Sequence, residues 1–252
     1  MPYAFLDHPG PIPFAHRGGA LEGLENTMPA FEAAIALGYR YLETDARVTA
    51  DGVLVAFHDD DLSRTCDRAG LITELPWSEV RKARVGGKEP IPLMEDLLGA
   101  FPQARINLDA KSDGAVAPLI EAIRRTASVQ RVCVGAFSGK RLKEIRSALG
   151  PTLCTSMGPL EVARWTAASL LLGGRGTPSV PVAQVPVKQF GIPVVTSRSV
   201  RAAERQGVQV HVWTIDEPAE IERLLELGVH GIMTDRPQVL KEVLQRRGQW
   251  FE

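Results

Sequence analysis

Nine short β-rich runs alternate with helical patterns along this chain, and that alternation limits the fold more than any single motif does. The runs are residues 13–17, 41–47, 53–58, 105–111, 131–137, 152–157, 183–186, 208–214 and 231–234. Apolar residues at helical spacing mark 27–37, 117–126, 139–149, 159–172, 219–227 and a terminal helix near 238–246. Strands that alternate with helices call for a parallel sheet with the helices packed outside it. The chain has 252 residues, 44% of them apolar, and barrels reach this length without dividing. The Pro- and Gly-rich stretches 9–13 and 173–181 are short and flank apolar segments, so neither reads as a linker. The expectation is a single domain over 1–252, an α/β chain closed into a (β/α)8 barrel.

Two features depart from an ideal barrel. Nine strand candidates compete for eight places, and 46–52 is too short for a helical crossover between parallel strands. The chain is therefore expected to return there in extended form, with Asp51-Gly52 as the turn. Residues 60–98 then form a small insertion after the third strand, with a short helix at 77–83. The first long helix has readable ends: Asn26 as an N-cap, Pro29 in the first turn and Gly38 just past the last turn.

In a barrel the active site is built where strands hand over to loops. Phe14-Ala15-His16-Arg17-Gly18-Gly19, Glu43-Thr44-Asp45, Phe57-His58-Asp59 and Asn107-Leu108-Asp109-Ala110-Lys111 all place polar groups at such ends. Glu43 and Asp45 are two apart, so on a strand they leave one face, the inner one when the other face is apolar. Two carboxylates confined together repel, and a hard cation such as Mg²⁺ or Ca²⁺ would relieve them through oxygen ligands. Asp109 ends another strand and can complete such a site. A structural pairing of Glu43 and Asp45 with Arg40 or Arg47 is the alternative.

His16 and His58 carry the side chain best suited to proton transfer near neutrality. His8, His211 and His230 rank lower, lying in the N-terminal loop, deep in a strand and in a turn. Arg17 offers a planar fork for a phosphate diester or an ion pair with Glu25. Lys111 can neutralise a phosphate oxygen or partner the neighbouring carboxylates. Asn26 can cap a helix or contact phosphate. Trp213 can wall a binding mouth or pack in the core, and Asp235 ends the last strand or caps the last helix. Gly18-Gly19, Gly86-Gly87 and Gly173-Gly174 match no nucleotide-binding loop, so no nucleotide cofactor is expected.

The order HRG, Leu24-Glu25-Asn26-Thr27, E-x-D and HD resembles the glycerophosphodiester phosphodiesterase family. Val212-Trp213-Thr214-Ile215-Asp216 and Gly231-Ile232-Met233-Thr234-Asp235-Arg236-Pro237 continue it, so the resemblance runs over about 13–240. It implies cleavage of glycerophosphodiesters to sn-glycerol 3-phosphate and an alcohol, by a divalent cation on Glu43, Asp45 and Asp109 with His16 and His58 as acid and base. It also implies a glycerol 2-hydroxyl nucleophile and a cyclic phosphate opened by water. The family more often has glutamate where this chain has Asp109, which is one methylene shorter. Two other readings are a lysophospholipase D, with an apolar patch from Leu170, Leu171, Leu172 and Phe190, and a barrel that binds without turnover.

Twenty-nine basic residues against 30 acidic ones give a net charge of −1, which provides no field for nucleic acid or stable membrane association. Cys66, Cys133 and Cys154 have neither paired nor metal-site spacing, which suits a reducing compartment, and the last two read as core residues. The first eight residues lack the marks of a signal peptide, and the longest apolar stretch is too short to span a bilayer. A cytoplasmic location is expected.

Overall fold

The computed structural model describes residues 3–20, 24–171 and 180–251. Its eight barrel strands are β1 (Ile12–His16), β2 (Tyr41–Val48), β3 (Arg105–Ala110), β4 (Val132–Gly135), β5 (Cys154–Thr155), β6 (Val182–Val185), β7 (Gln209–Val212) and β8 (Gly231–Thr234). Besides the short helix Trp77–Val80 of the insertion, expected at 77–83, the helices are α1 (Met28–Ala36), α2 (Met94–Ala100), α3 (Val116–Arg125), α4 (Gly139–Leu149), α5 (Pro159–Leu171), α6 (Ser197–Gln206), α7 (Pro218–Glu226) and α8 (Pro237–Arg246). All neighbouring barrel strands pair in parallel, in the order β5-β4-β3-β2-β1-β8-β7-β6. A parallel bridge from Ser156 to Val182 joins the two ends, and the Met157 N–H donates to the Val182 carbonyl at 2.8 Å. The fold is a TIM barrel.

The ninth strand candidate lies outside the parallel ring. Leu54–Ala56 folds back antiparallel on the end of β2, with Ala46 opposite Ala56 and Val48 opposite Leu54. Gly52, at φ 85°, makes the turn, and its N–H reaches the Thr49 carbonyl at 3.0 Å. The return strand splits its side chains between two cores. Leu54 and Ala56 join the main cluster, while Val55 packs with Phe57, Leu62, Ile72, Val80, Val85 and Ile91. The insertion therefore has an apolar core of its own, fastened to the barrel by one alternating strand.

Alternation also separates what faces the barrel axis from what faces the helices. Leu42 and Ala46 of β2, with Ile106, Leu108 and Ala110 of β3, enter the helix-facing core. Phe14, Tyr41, Cys133, Cys154, Val182 and Met233 fill the barrel interior. Phe5, in a short 3-10 turn ahead of β1, closes the bottom against Phe14 and Tyr41, and the Tyr41 hydroxyl donates to its carbonyl at 2.8 Å. Cys133 and Cys154 are buried, as their apolar surroundings in the sequence suggested.

Helix α1 corrects one expectation. Thr27, not Asn26, is its N-cap, accepting from the Ala30 N–H at 3.4 Å. Asn26 cannot cap because its backbone is left-handed, at φ 57°, and its side chain turns inward. The C-terminus is as expected: Gly38 takes φ 93°, its N–H reaches Ile35 O and the Tyr39 N–H reaches Ala34 O, a Schellman closure. Helices α2 and α6 were missed in the sequence. In α6 the buried residues are only Ser199, Val200, Ala202 and Ala203, too small a stripe for a strong periodic signal, although Thr196 and Ser199 form a capping box.

His211 sits wholly buried in the barrel interior, 5.0 Å from Phe14 in ring centroids, with Nε2 2.9 Å from Gln209 Oε1. Gly231 makes room for it, since a Cβ there would stand 2.8 Å from its ring. Burial pushes its pKa down to about 3. The unfolded chain takes up a proton near the ordinary value of about 6.5 while the folded imidazole stays neutral. Stability should therefore be fully present above that value and decline as pH falls towards 3, by at most about 1.4 kcal/mol per pH unit. In urea melts across this range, His211→Gln should show a shallower acid decline than the parent. Equal slopes would mean that His211 is protonated in the fold.

Candidate active site

The C-terminal ends of β1, β2 and β3 bring the expected residues to one mouth. His16 is in register with Glu43, Glu43 with Asn107, and Asp45 with Asp109. After β1 the chain turns sharply through Arg17, Gly18 and Gly19, all at positive φ. Gly18 is required there because a Cβ would lie 2.9 Å from the backbone of α1. The turn aims the Arg17 N–H at Glu43 Oε2, 3.2 Å away, and its Nε at Asp45 Oδ2, also 3.2 Å away.

Glu43 and Asp45 are buried side by side, and their environments drive them apart. Burial and the neighbouring Asp45 charge raise the Glu43 pKa to about 7. Burial acts on Asp45 in the same direction, but Lys111 and Arg17 outweigh it and lower its pKa. Lys111 Nζ stands 2.8 Å from Asp45 Oδ1 and 2.7 Å from Asp109 Oδ2. Arg47 does not serve as their partner: it holds the His58 carbonyl at 2.9 Å and pairs with Asp60. Asn26 donates to Asp45 Oδ2 at 3.0 Å and accepts from the Thr44 hydroxyl at 2.7 Å. With both ends engaged and only 1% exposed, Asn26 acts by fixing Asp45.

Among the described residues, no three His, Cys, Asp or Glu groups converge as they stand into a set that could hold a metal ion. The cation joining Asp45 to Asp109 is the ammonium of Lys111. Asp109 Oδ1, however, is buried without a hydrogen-bond partner. Together with the all-oxygen donor set of Glu43, Asp45 and Asp109, this fits a hard divalent cation.

Each histidine is oriented by a carboxylate that the sequence did not identify for that role. His16 Nδ1 lies 2.6 Å from Asp235 Oδ1, and His58 Nδ1 lies 2.6 Å from Asp59 Oδ1. Asp235 is not the cap of α8, whose N-cap is Arg236 with no side-chain bond. Burial opposes the charged form of His16, but Glu43 and Asp235 prevail and raise its pKa. In His58 burial prevails over Asp45 and Asp59, and the pKa falls. In both rings Nε2 is the nitrogen left for chemistry.

Arg64 of the insertion ties these elements together. It donates to Glu25 through both terminal nitrogens, at 3.0 and 2.6 Å, and pairs through Nε with Asp59. Glu25 in turn accepts from Arg17 at 2.9 Å, so the expected Arg17–Glu25 pair is present. A continuous chain of charge thus runs from His58 through Asp59, Arg64, Glu25 and Arg17 to Asp45.

His16, Arg17, Glu43, Asp45, His58, Asp109 and Lys111 line a cavity of about 710 Å³ together with Asn107, Gln184 and Trp213. Gln184 donates to Asn107 at 2.7 Å, and Trp213 meets Phe137 edge to face at 6.0 Å. The side chains of Leu170, Leu171 and Leu172, and the pair Gly173-Gly174, lie outside the described residues. The C-terminal mouth of this TIM barrel thus brings together two carboxylate-oriented imidazoles, a carboxylate cluster and the cationic side chains of Arg17 and Lys111, groups able to exchange protons and to face an anion.

The chain belongs to the glycerophosphoryl diester phosphodiesterase family, which it matches over residues 16–239. It is 39% identical to the probable glycerophosphodiester phosphodiesterase 2 of Mycobacterium tuberculosis, over 98% of this chain and 95% of that protein. It is 27% identical to mouse (Mus musculus) lysophospholipase D GDPD1, over 91% of this chain and 85% of that one. In fold it is similar to an Oleispira antarctica phosphodiesterase solved with sn-glycerol-3-phosphate, with a TM-score of 0.77 and 21% identity over 94% and 97% of the two chains.

Arg64 is half exposed, so its ion pairs contribute little to stability, on the order of 0–1 kcal/mol. Their effect should fall on geometry instead. Arg64→Ala is expected to lower kcat by about 10- to 100-fold, with a melting temperature close to the parent's. Steady-state kinetics beside a thermal melt checks this, and an unchanged kcat would show that Asp59 and Glu25 hold their places without the arginine.

Proposed function

We propose that this protein is a metal-dependent phosphodiesterase that hydrolyses glycerophosphodiesters to sn-glycerol 3-phosphate and an alcohol by two-histidine acid/base catalysis. The observation that carries the reading is the pair of imidazoles, each with Nδ1 2.6 Å from a carboxylate, lining one cavity with Arg17 and Lys111. The family match and the product complex of the Oleispira antarctica phosphodiesterase support the substrate class.

Arg17 and Lys111 are the groups for the phosphodiester charge, the guanidinium as a planar fork and the ammonium as a point charge. Asp235 and Asp59 hold their rings so that Nε2 of one histidine takes the nucleophile's proton. Nε2 of the other returns a proton to the departing alkoxide. Trp213 walls the organic part of the substrate, and Asn26 keeps Asp45 in place. Glu43, Asp45 and Asp109 would hold Mg²⁺ or Ca²⁺, which when bound polarises a phosphoryl oxygen. The near-zero net charge supports small-molecule substrates over nucleic acid. Cys66, Cys133 and Cys154 are all unpaired, which supports a reducing, cytoplasmic setting. Among the described residues no helix is long and apolar enough to cross a membrane.

Chelation should abolish turnover of glycerophosphocholine, and added Mg²⁺ or Ca²⁺ should restore it. Full activity in protein shown by elemental analysis to be metal-free would overturn the metal assignment. Replacing His16 or His58 by alanine should lower kcat by about 10²- to 10⁴-fold with circular dichroism unchanged. If His58→Ala turned over like the parent, the acid/base pair would have to be sought elsewhere. Asp109→Ala should lose cation affinity in isothermal titration together with activity.

A further inference from the structure

The floor of the cavity is polar, and the acid/base chemistry makes no use of it. Asn107 of β3 and Gln184 of β6 belong to strands that are not neighbours in the ring, so the 2.7 Å bond from Gln184 Nε2 to Asn107 Oδ1 crosses the barrel interior. Below this bond the interior is closed and apolar, filled by Phe14, Tyr41, Cys133, Cys154, Val182 and Met233. Above it stand the charged groups. Asn107 is in register with Glu43 and precedes Asp109 by two residues. On a strand that rises roughly 3.3 Å per residue, it lies about 7 Å deeper than that carboxylate.

The bond across the axis fixes both amides and leaves half of each unused. Among the described residues nothing bonds to Asn107 Nδ2 or Gln184 Oε1, and both residues line the cavity. If the two amides turned over together, the floor would still offer an N–H donor beside a carbonyl acceptor. Gly135, at the end of β4, keeps this space open, since a Cβ there would stand 3.1 Å from Ser156 Oγ and 3.3 Å from Gln184 Oε1. Barrel interiors are ordinarily filled by branched apolar side chains, and an amide pair kept for packing alone would not present a free donor and acceptor to a cavity. A hydroxyl, which donates one proton and accepts through its lone pairs, satisfies both at once.

The rest of the cavity decides which hydroxyl this is. On the phosphodiesterase reading, Arg17 and Lys111 face the phosphodiester one layer above, and a three-carbon chain running down from it can bring its far hydroxyl to the floor. The open end beyond Trp213 suits the head group instead. It is lined by Phe137, Val185, Phe190 and Ile192, none with a hydrogen-bonding side chain. Phe190 stands 93% exposed, at φ 50°, on the tip of a hairpin between Lys188–Gln189 and Ile192–Pro193.

We propose that Asn107 and Gln184, with Ser156 beside them, form a subsite for the free primary hydroxyl of the substrate's glycerol, and that this subsite sets the protein's selectivity. Asn107 donates to the hydroxyl oxygen and Gln184 accepts its proton. The proposal rests on the phosphodiesterase reading of the same cavity. An ether or ester at that oxygen has no proton to give Gln184, and its added carbons meet the closed interior below.

The test compares glycerophosphocholine with two analogues, one lacking the primary hydroxyl and one carrying it as a methyl ether. Both keep the secondary hydroxyl and the phosphodiester. Divalent cation is present throughout, and Gln184→Met and Gly135→Ala are measured beside the parent with thermal melts. In the parent, kcat/KM for glycerophosphocholine should exceed that for either analogue by at least about 100-fold, because each analogue leaves a polar group of the floor without a partner. In Gln184→Met, which keeps the volume and loses the amide, the ratio should fall to about tenfold or less. Gly135→Ala, which crowds the same oxygens, should lower it in the same direction. Isothermal titration calorimetry with sn-glycerol 3-phosphate and its 1-deoxy analogue gives a readout that needs no turnover, and the parent should bind the former at least about tenfold more tightly. If glycerophosphocholine turns over and the analogues do so equally well, or if folded Gln184→Met discriminates as sharply as the parent, the floor does not read the hydroxyl and the phosphodiesterase reading stands. If no diester is cleaved and the parent alone prefers sn-glycerol 3-phosphate to its deoxy analogue, the phosphodiesterase reading fails and the subsite stands. No cleavage together with equal binding of the two phosphates would overturn both.

Discussion

Two carboxylates on one face of one strand set the terms for everything around them. Glu43 and Asp45 point into the barrel because Leu42 and Ala46 must point out into the helix-facing core. Neither can move without reversing the parity of β2. Their mutual repulsion, between side chains that are both buried, has to be relieved by cations. Arg17 and Lys111 do this for Asp45, which leaves Glu43 with the elevated pKa of about 7 and the neighbouring His16 as its counter-charge. The raised pKa of His16 and the depressed one of Asp45 are two consequences of one crowded charge balance. Measured behaviour at this site therefore belongs to the group of residues and not to one member.

Where parity and strand ends decide the outcome, the sequence was sufficient. The inward set Glu43, Asp45, Asp109 and Lys111, the two histidines and the extended return after Gly52 could all be read from spacing. Helix α1 was legible because Pro29, its apolar spacing and Gly38 agree. Less legible were contacts fixed by tertiary geometry. Asp235 meets His16 across 219 positions, and no local pattern marks it as an orienter over a helix cap. Asn26 misled because a residue type that caps helices was needed one position earlier, in a left-handed turn, to hold Asp45. Thr27 does the capping, its hydroxyl donating to the Leu24 carbonyl while accepting from the Ala30 N–H, and the Asn26 amide, with donor and acceptor on separate atoms, reaches Asp45 and Thr44 at the same time.

The two carboxylate-oriented histidines are supported in different ways. His16 ends a strand of the closed barrel, with β2 on one side and β8 on the other, and its carboxylate partner follows β8. His58 follows a short antiparallel return whose outer face packs on the insertion's own core. Its place relative to His16 therefore depends on contacts outside the parallel ring: Arg47 on its carbonyl, Asp59 on its ring and Arg64 behind Asp59. An insertion that supplied only bulk would not need buried Leu62 and Ile72 packed beneath that loop. Its core is what lets a loop residue reach the precision that a strand end gives His16.

The asymmetry extends to the cavity. The β1, β2 and β3 side carries the charge and is held by a dense net of ion pairs. The segments after β4, β5 and β6 carry hydrocarbon, and from that side Gln184 of β6 donates to Asn107 of β3. A barrel permits this division because each strand end projects its loop into the same mouth while being supported independently below. Loops on the charged side are constrained by the chemistry they position. Those on the apolar side need only present surface, and a hairpin tip can carry an aromatic residue in a conformation that the core would never select. Substrate choice can then change by alteration of the apolar loops alone, with the ion-pair network that runs from His58 to Asp45 left intact.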